Sequence, residues 1–109
     1  MNTKELYKAL EDAGWSIGSQ IDKSTGVSWY AYKRLVGAKD CSYNGKAPCL
    51  VITPQSVEFF QSVEFSVRGQ MSNGMWADFK VYYGIQFEDA LPKEEEIASV
   101  LRTAWDAVA

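Results

Sequence analysis

The sequence predicts an α+β fold: an antiparallel sheet of about five strands, flanked by an N-terminal and a C-terminal helix that share one face. Three observations predict it. Residues 57 to 87 write out one long β-hairpin. Amphipathic helical segments stand at the two ends of the chain. Between them lie short β-branched and aromatic runs separated by turn residues. Elements in this order form two layers, because each sheet or helix must bury its apolar side against another. The 109 residues correspond to one domain, residues 1–109.

The first helix starts at Asn2, an N-cap residue, with Glu5 as the returning acid of a capping box. Leu6, Ala9, Leu10 and Ala13 recur at helical spacing, and Gly14 suits the position just past the helix end. Trp15, Ile17 and Ile21 mark a first strand, and residues 22–26 carry turn chemistry. Val27 to Val36 reads as the second strand. Trp29, Ala31 and Leu35 fall on one face, with Tyr30, Tyr32 and Arg34 on the other. A long loop over residues 37–48 contains Cys41 and leads to Cys49. Leu50 to Thr53 is a short strand that Pro54 ends.

The hairpin carries the clearest signal. Val57, Phe59, Val63, Phe65, Val67 and Met71 alternate with Glu58, Glu64, Ser66, Arg68 and Gln70. A three-residue loop, Ser72-Asn73-Gly74, pairs Met71 with Met75. The register then sets Gly69 against Ala77, Val67 against Phe79, Phe65 against Val81 and Val63 against Tyr83, all apolar or small. The other face pairs Gln70 with Trp76, Arg68 with Asp78, Ser66 with Lys80 and Glu64 with Tyr82. A two-residue Asn73-Gly74 turn would mix the faces and is rejected, since a one-residue slip moves a whole apolar set to the wrong side. Pro92 then opens the last helix, with Glu94, Glu95 and Glu96 in its first turn, where the helix dipole favours acids. Ile97, Leu101, Ala104, Trp105 and Val108 form its apolar stripe.

Composition narrows the functional classes. Net charge is −3. Residues 1–55 hold 7 Lys/Arg against 5 Asp/Glu, and residues 56–109 hold 4 against 9. The basic weight falls on Lys33, Arg34, Lys39 and Lys46, and the acidic weight on Glu88, Asp89 and Glu94 to Glu96. The overall sign is wrong for a general nucleic-acid binder. The chain has no histidine, the commonest general base and metal ligand. No phosphate-binding loop, dinucleotide-binding glycine pattern or nucleophile elbow is present. The expectation is a protein that is not an enzyme and takes no cofactor and no metal. No apolar run reaches the length of a membrane span and no signal peptide is evident, so the expected location is the cytoplasm. Cys41 and Cys49 bracket a turn that would allow a disulfide, although the expected compartment favours two free thiols.

The candidate site is the outward face of the hairpin. If the helices cover only the inner face, Trp76, Tyr82, Tyr30, Tyr32 and Phe60 stand outside beside Arg68, Asp78, Lys80 and Glu64. Trp, Tyr and Arg dominate binding hot spots. The competing expectation is that loop 37–48 folds over this face and makes it a second small core. The acidic stretch Glu88 to Glu96, with Glu94 and Glu95 as its candidate contacts, could imitate a phosphate backbone, against the plainer reading of a solvated helix start. The sequence-level reading is a non-enzymatic module that binds a protein partner by occupying its surface. Small acidic α+β chains without motifs are common among phage and mobile-element inhibitors of host defence systems, an analogy of type. The first alternative is a single-stranded nucleic-acid binder using Tyr30, Tyr32, Lys33 and Arg34. The second is a small dimeric chaperone or adaptor, and a homodimer through the outer face would also hide it.

Overall fold

Five antiparallel strands stand across the sheet in chain order, so every connection joins neighbours. The structure is a computed structural model. It describes residues 3–22, 26–54 and 62–109, with side chains left out at 3, 20–22, 26–28, 54 and 80–83. The elements are α1 (Thr3–Asp12), β1 (Ser16–Asp22), β2 (Gly26–Arg34), β3 (Cys49–Pro54), β4 (Ser62–Gln70), β5 (Trp76–Gln86), α2 (Phe87–Ala90) and α3 (Glu94–Asp106). This is the expected α+β architecture with one addition, the short helix α2. Val57, Phe59 and Phe60 of the expected hairpin, and the cap at Asn2, lie outside the described residues.

Helix α1 ends as its sequence requires. The Gly14 N–H bonds the Glu11 carbonyl at 3.0 Å, and the Trp15 N–H bonds the Leu10 carbonyl at 2.9 Å. With Gly14 at φ 91°, this is a Schellman closure. It turns the chain so that Trp15, just past the helix, enters the same core as Leu10.

The core lies between the sheet and the helices. Trp15, Ala31, Leu50, Ile52, Val63, Phe65 and Val67 on the sheet side meet Leu6 and Leu10 of α1 and Ile97, Ala98, Leu101 and Trp105 of α3. Both helices therefore cover one face. Trp105 is fully buried, with its indole N–H bonded to the Lys39 carbonyl at 2.8 Å. It fits because β4 presents Gly69 beneath it: a Cβ there would come within 2.6 Å of Trp105 Cη2 and 2.9 Å of Cys41 Sγ. At the far end of α3 the expected stripe stops early, because the helix ends at Asp106 and Val108 is exposed.

The hairpin loop is the three-residue one. The Met71 N–H bonds the Met75 carbonyl at 2.8 Å, the Gly74 N–H bonds Met71 at 2.8 Å, and Gly74 takes φ 86°. Gln70–Trp76, Gly69–Ala77, Arg68–Asp78, Val67–Phe79 and Ser66–Lys80 pair as expected. Beyond them the register departs from expectation. Phe65 pairs with Tyr82 rather than Val81, and Val63 pairs with Ile85 rather than Tyr83. Two irregularities insert extra residues into β5, and Gly84 at φ 69° supplies the left-handed conformation that such bulges use. Strand alternation carries no warning of an inserted residue, so uninterrupted pairing was the natural reading. The expected opposition of Glu64 and Tyr82, which placed Tyr82 on the outer face, does not occur.

The second correction concerns the start of the last helix. Pro92 falls in a turn between α2 and α3, and Lys93 is the N-cap of α3. Phe87 and Ala90 are buried apolar residues that fold α2 back into the core.

Candidate binding surface

Strand alternation sends every second residue of β2 to β5 away from the helices. One row across the sheet runs Arg34, Cys49, Arg68, Asp78, each a Cα partner of the next. The next row runs Tyr32, Val51, Ser66, Lys80. Tyr30 lies beyond Tyr32 on the same strand face, and the two rings stack at 5.6 Å between centroids. Tyr30 also crosses to β1, where its cross-strand partner is Gly18. A Cβ on Gly18 would lie 2.5 Å from Tyr30 Cζ, so the missing side chain makes room for the ring.

On this face lies a shallow hollow of about 160 Å³ lined by Tyr30, Tyr32, Cys49, Val51, Arg68 and Trp76. Val51 is only 2 % exposed, although it belongs to the outer face; its neighbours have walled it in. Trp76 is 66 % exposed. Two open basins adjoin. One, of about 400 Å³, is lined by Arg34, Gly45, Lys46, Ala47 and Cys49. The other, of about 410 Å³, is lined by Arg68, Trp76 and Asp78. Cys49 is shared on one side, and Arg68 and Trp76 on the other, so the three adjoin across the outer face and are together called the groove.

The groove's charge is uneven. Arg68 Nη2 meets Asp78 Oδ2 at 3.3 Å, the cross-strand pair read from the sequence. The side chains of Arg34 and Lys46 make no ion pair among the described residues. Glu64 sits further along β4 and accepts a hydrogen bond from Thr53 Oγ1 at 3.1 Å. Burial pushes the Cys49 thiol above its ordinary pKa, with Cys41 adding to the rise and Arg68 opposing it.

Loop 37–48 does not close this face. Cys41 is buried in the main core, the Lys39 N–H bonds Asp106 Oδ1 at 2.7 Å, and Arg102 Nε donates to the Val36 carbonyl at 2.9 Å. These contacts draw the loop towards α3 on the inner side. Cys41 and Cys49 are free thiols directed to opposite faces of the sheet. The middle of the loop meets the hairpin tip, where Asn44 Nδ2 donates to Gln70 Oε1 at 2.6 Å and Tyr43 rests against Gly74, and Gly45 to Ala47 border the outer basin beside Arg34 and Cys49. Tyr43 and Met75, both exposed, extend the apolar surface there. The sequence pointed to neither of them, nor to the Val51 and Cys49 floor.

The acids of α3 are placed elsewhere. Glu94 accepts the Trp15 indole N–H at 2.8 Å on one carboxylate oxygen and Lys33 Nζ at 2.7 Å on the other. It is a clamp between sheet and helix. Glu95 is exposed on the helix layer, 3.6 Å from Arg102. Neither joins the groove. Of the expected outer-face set, Trp76, Tyr30, Tyr32, Arg68 and Asp78 come together, and Glu64 lies at a distance along the same face. Lys80 is placed by register opposite Ser66. The side chains of Lys80 and Tyr82, and Phe60 altogether, lie outside the described residues.

No helix among the described residues is long and apolar enough to cross a membrane. No family model, no curated protein and no solved structure matches this chain, so the reading of the groove rests on its geometry.

Proposed function

We propose that this protein is a non-enzymatic binding module that acts by occupying a protein partner's surface with the outer face of its sheet. The observation that carries this reading is Trp76, two-thirds exposed on a strand, walling an apolar hollow beside Arg68. An indole left in water forgoes the stabilisation that burial of its large apolar area would bring, and Trp beside Tyr and Arg is the composition of an interface hot spot. An inhibitor of a host system, the type suggested by size and acidity, would work by such occupation.

The nucleic-acid alternative keeps one observation in its favour, the stacked Tyr30 and Tyr32 rings beside Arg34. It loses Lys33, which lies on the other face in an ion pair with Glu94. The test is affinity capture from host lysate with and without nuclease, using the wild type and Trp76→Ala. A protein enriched in both conditions and lost with Trp76→Ala supports the reading. Enrichment that vanishes with nuclease, or that ignores Trp76, refutes it.

A further inference from the structure

We infer that the groove takes an acidic partner segment carrying one apolar or aromatic anchor residue. The inference rests on the protein-binding reading above and names the chemistry of its ligand. The anchor belongs in the central hollow. Its floor is Val51, its walls are the Tyr32 and Trp76 rings, and at about 160 Å³ it suits one side chain rather than a helix face. A side chain seated there would cover Val51 and lie against both rings, and the partner's surrounding surface would complete its shielding from water, the setting in which anchors contribute most.

The flanks of the groove select the charge. On the Cys49 side the basin presents Arg34 and Lys46, two cations without a counter-ion among the described residues. On the Trp76 side Arg68 is held by Asp78 at 3.3 Å through one nitrogen, which leaves other donors of its guanidinium for a carboxylate. The acids of the described helix layer lie on the opposite side of the sheet: Glu94 and Glu95 near Arg102 and Lys33, and Glu88, Asp89 and Glu96 in α2 and α3. A chain of net charge −3 thus gathers unpaired positive charge around this aromatic hollow. An acidic segment approaching this molecule is repelled by the helix layer and drawn to the groove. Nucleic acid would find the same two unpaired cations but not Lys33, and a hollow of about 160 Å³ seats one anchor side chain where a single strand needs successive stacking platforms, so an acidic peptide fits better.

A random peptide library displayed on phage, selected on the full chain, tests this directly. Selections are run in parallel on Trp76→Ala and on the double variant Arg34→Glu/Lys46→Glu. Both variants change exposed side chains, and circular dichroism and thermal melting confirm that they fold. The expected result is a consensus of an apolar or aromatic residue flanked by Asp or Glu. Synthetic peptides of that consensus should bind the wild type at least about tenfold more tightly than either variant. A Trp76-dependent consensus with neutral or basic flanks overturns the inference and leaves the protein-binding reading standing. Absence of any Trp76-dependent consensus overturns both. Binding of a thymidine oligonucleotide that depends on Tyr32 and outcompetes the peptides also overturns the inference and moves the assignment to nucleic acid.

Discussion

Lys33 and Arg34 are neighbours in the chain that border one hollow beside Glu94 and Glu95 at the sheet's edge, yet only Lys33 pairs there, and Arg34 also reaches the outer face. Lys33 crosses the edge of the inner face, with Nζ 2.7 Å from Glu94 and 5.1 Å from the centroid of the Trp15 ring. Arg34 lines the outer basin with Lys46. A run of rings and charges that looks continuous in sequence is divided by strand alternation into a structural clamp and part of a groove. This division separates residues whose replacement should alter stability from those whose replacement should alter binding.

Two tryptophans should therefore behave in opposite ways. Trp76→Ala removes an exposed ring and should change unfolding free energy by no more than about 0.5 kcal/mol. Trp105→Ala empties the centre of the core and should cost about 3–5 kcal/mol. Urea denaturation of the two variants checks both.

Glu94→Ala leaves the Trp15 indole N–H and the Lys33 ammonium without their acceptor. The pair is only partly buried, so the expected loss is about 1–2 kcal/mol. Partner affinity should stay at the wild-type level. A Glu94→Ala protein with unchanged stability and weakened binding would return this acid to the interface.

Gly69 and Gly18 give a second contrast. At Gly69 a methyl group meets Trp105 and Cys41 in a packed core, so Gly69→Ala should destabilise by about 1–3 kcal/mol. At Gly18 it meets only the outer end of the Tyr30 side chain, which can swing away. Gly18→Ala should therefore cost less stability than Gly69→Ala while disturbing a wall of the hollow. Denaturation and partner titration of both variants read the two effects apart.

The Cys49 thiol should be slow to react. Burial raises its pKa in the folded state, so folding favours the protonated form. The associated stabilisation is present in full below the ordinary thiol pKa and is lost as pH rises through the raised folded value. Iodoacetamide labelling of the Cys49 thiol, followed by mass spectrometry, should rise with pH at higher pH in the native protein than in urea. Bound partner should protect it further, because the thiol lines the groove. Cys41, enclosed in the core, should label only on unfolding.

Much of the fold was legible because it follows from local rules. Alternation in β4, the three-residue loop ending in Gly74, the Gly14 helix stop and the acidic first turn of α3 each depend on a few adjacent residues. What could not be read depends on residues far apart. The bulges at Val81 and Gly84 change the pairing of β5; Gly84 within the strand hints at an irregularity, but the resulting register depends on β4. The role of Glu94 is visible only once Trp15 and Lys33, 79 and 61 residues away, have been folded against it. In the groove, Trp76, Arg68 and Asp78 were legible from the hairpin register, and Tyr30 and Tyr32 from their own strand. The Val51 floor and the Arg34–Lys46 basin needed the pairing of β3 between β2 and β4, which brings Cys49 beside Arg68. The sequence likewise left open whether loop 37–48 covers the outer face; the burial of Cys41 against Trp105 decides it.

The most direct test of the face assignment is a pair of titrations with the captured partner, one on Trp76→Ala and one on Glu94→Ala, each beside the wild type. If the outer face binds, affinity falls by at least about tenfold for Trp76→Ala and stays at the wild-type value for Glu94→Ala. The reverse pattern, with Trp76→Ala binding normally and Glu94→Ala failing while still folded, would place the interface on the helix layer and contradict the account.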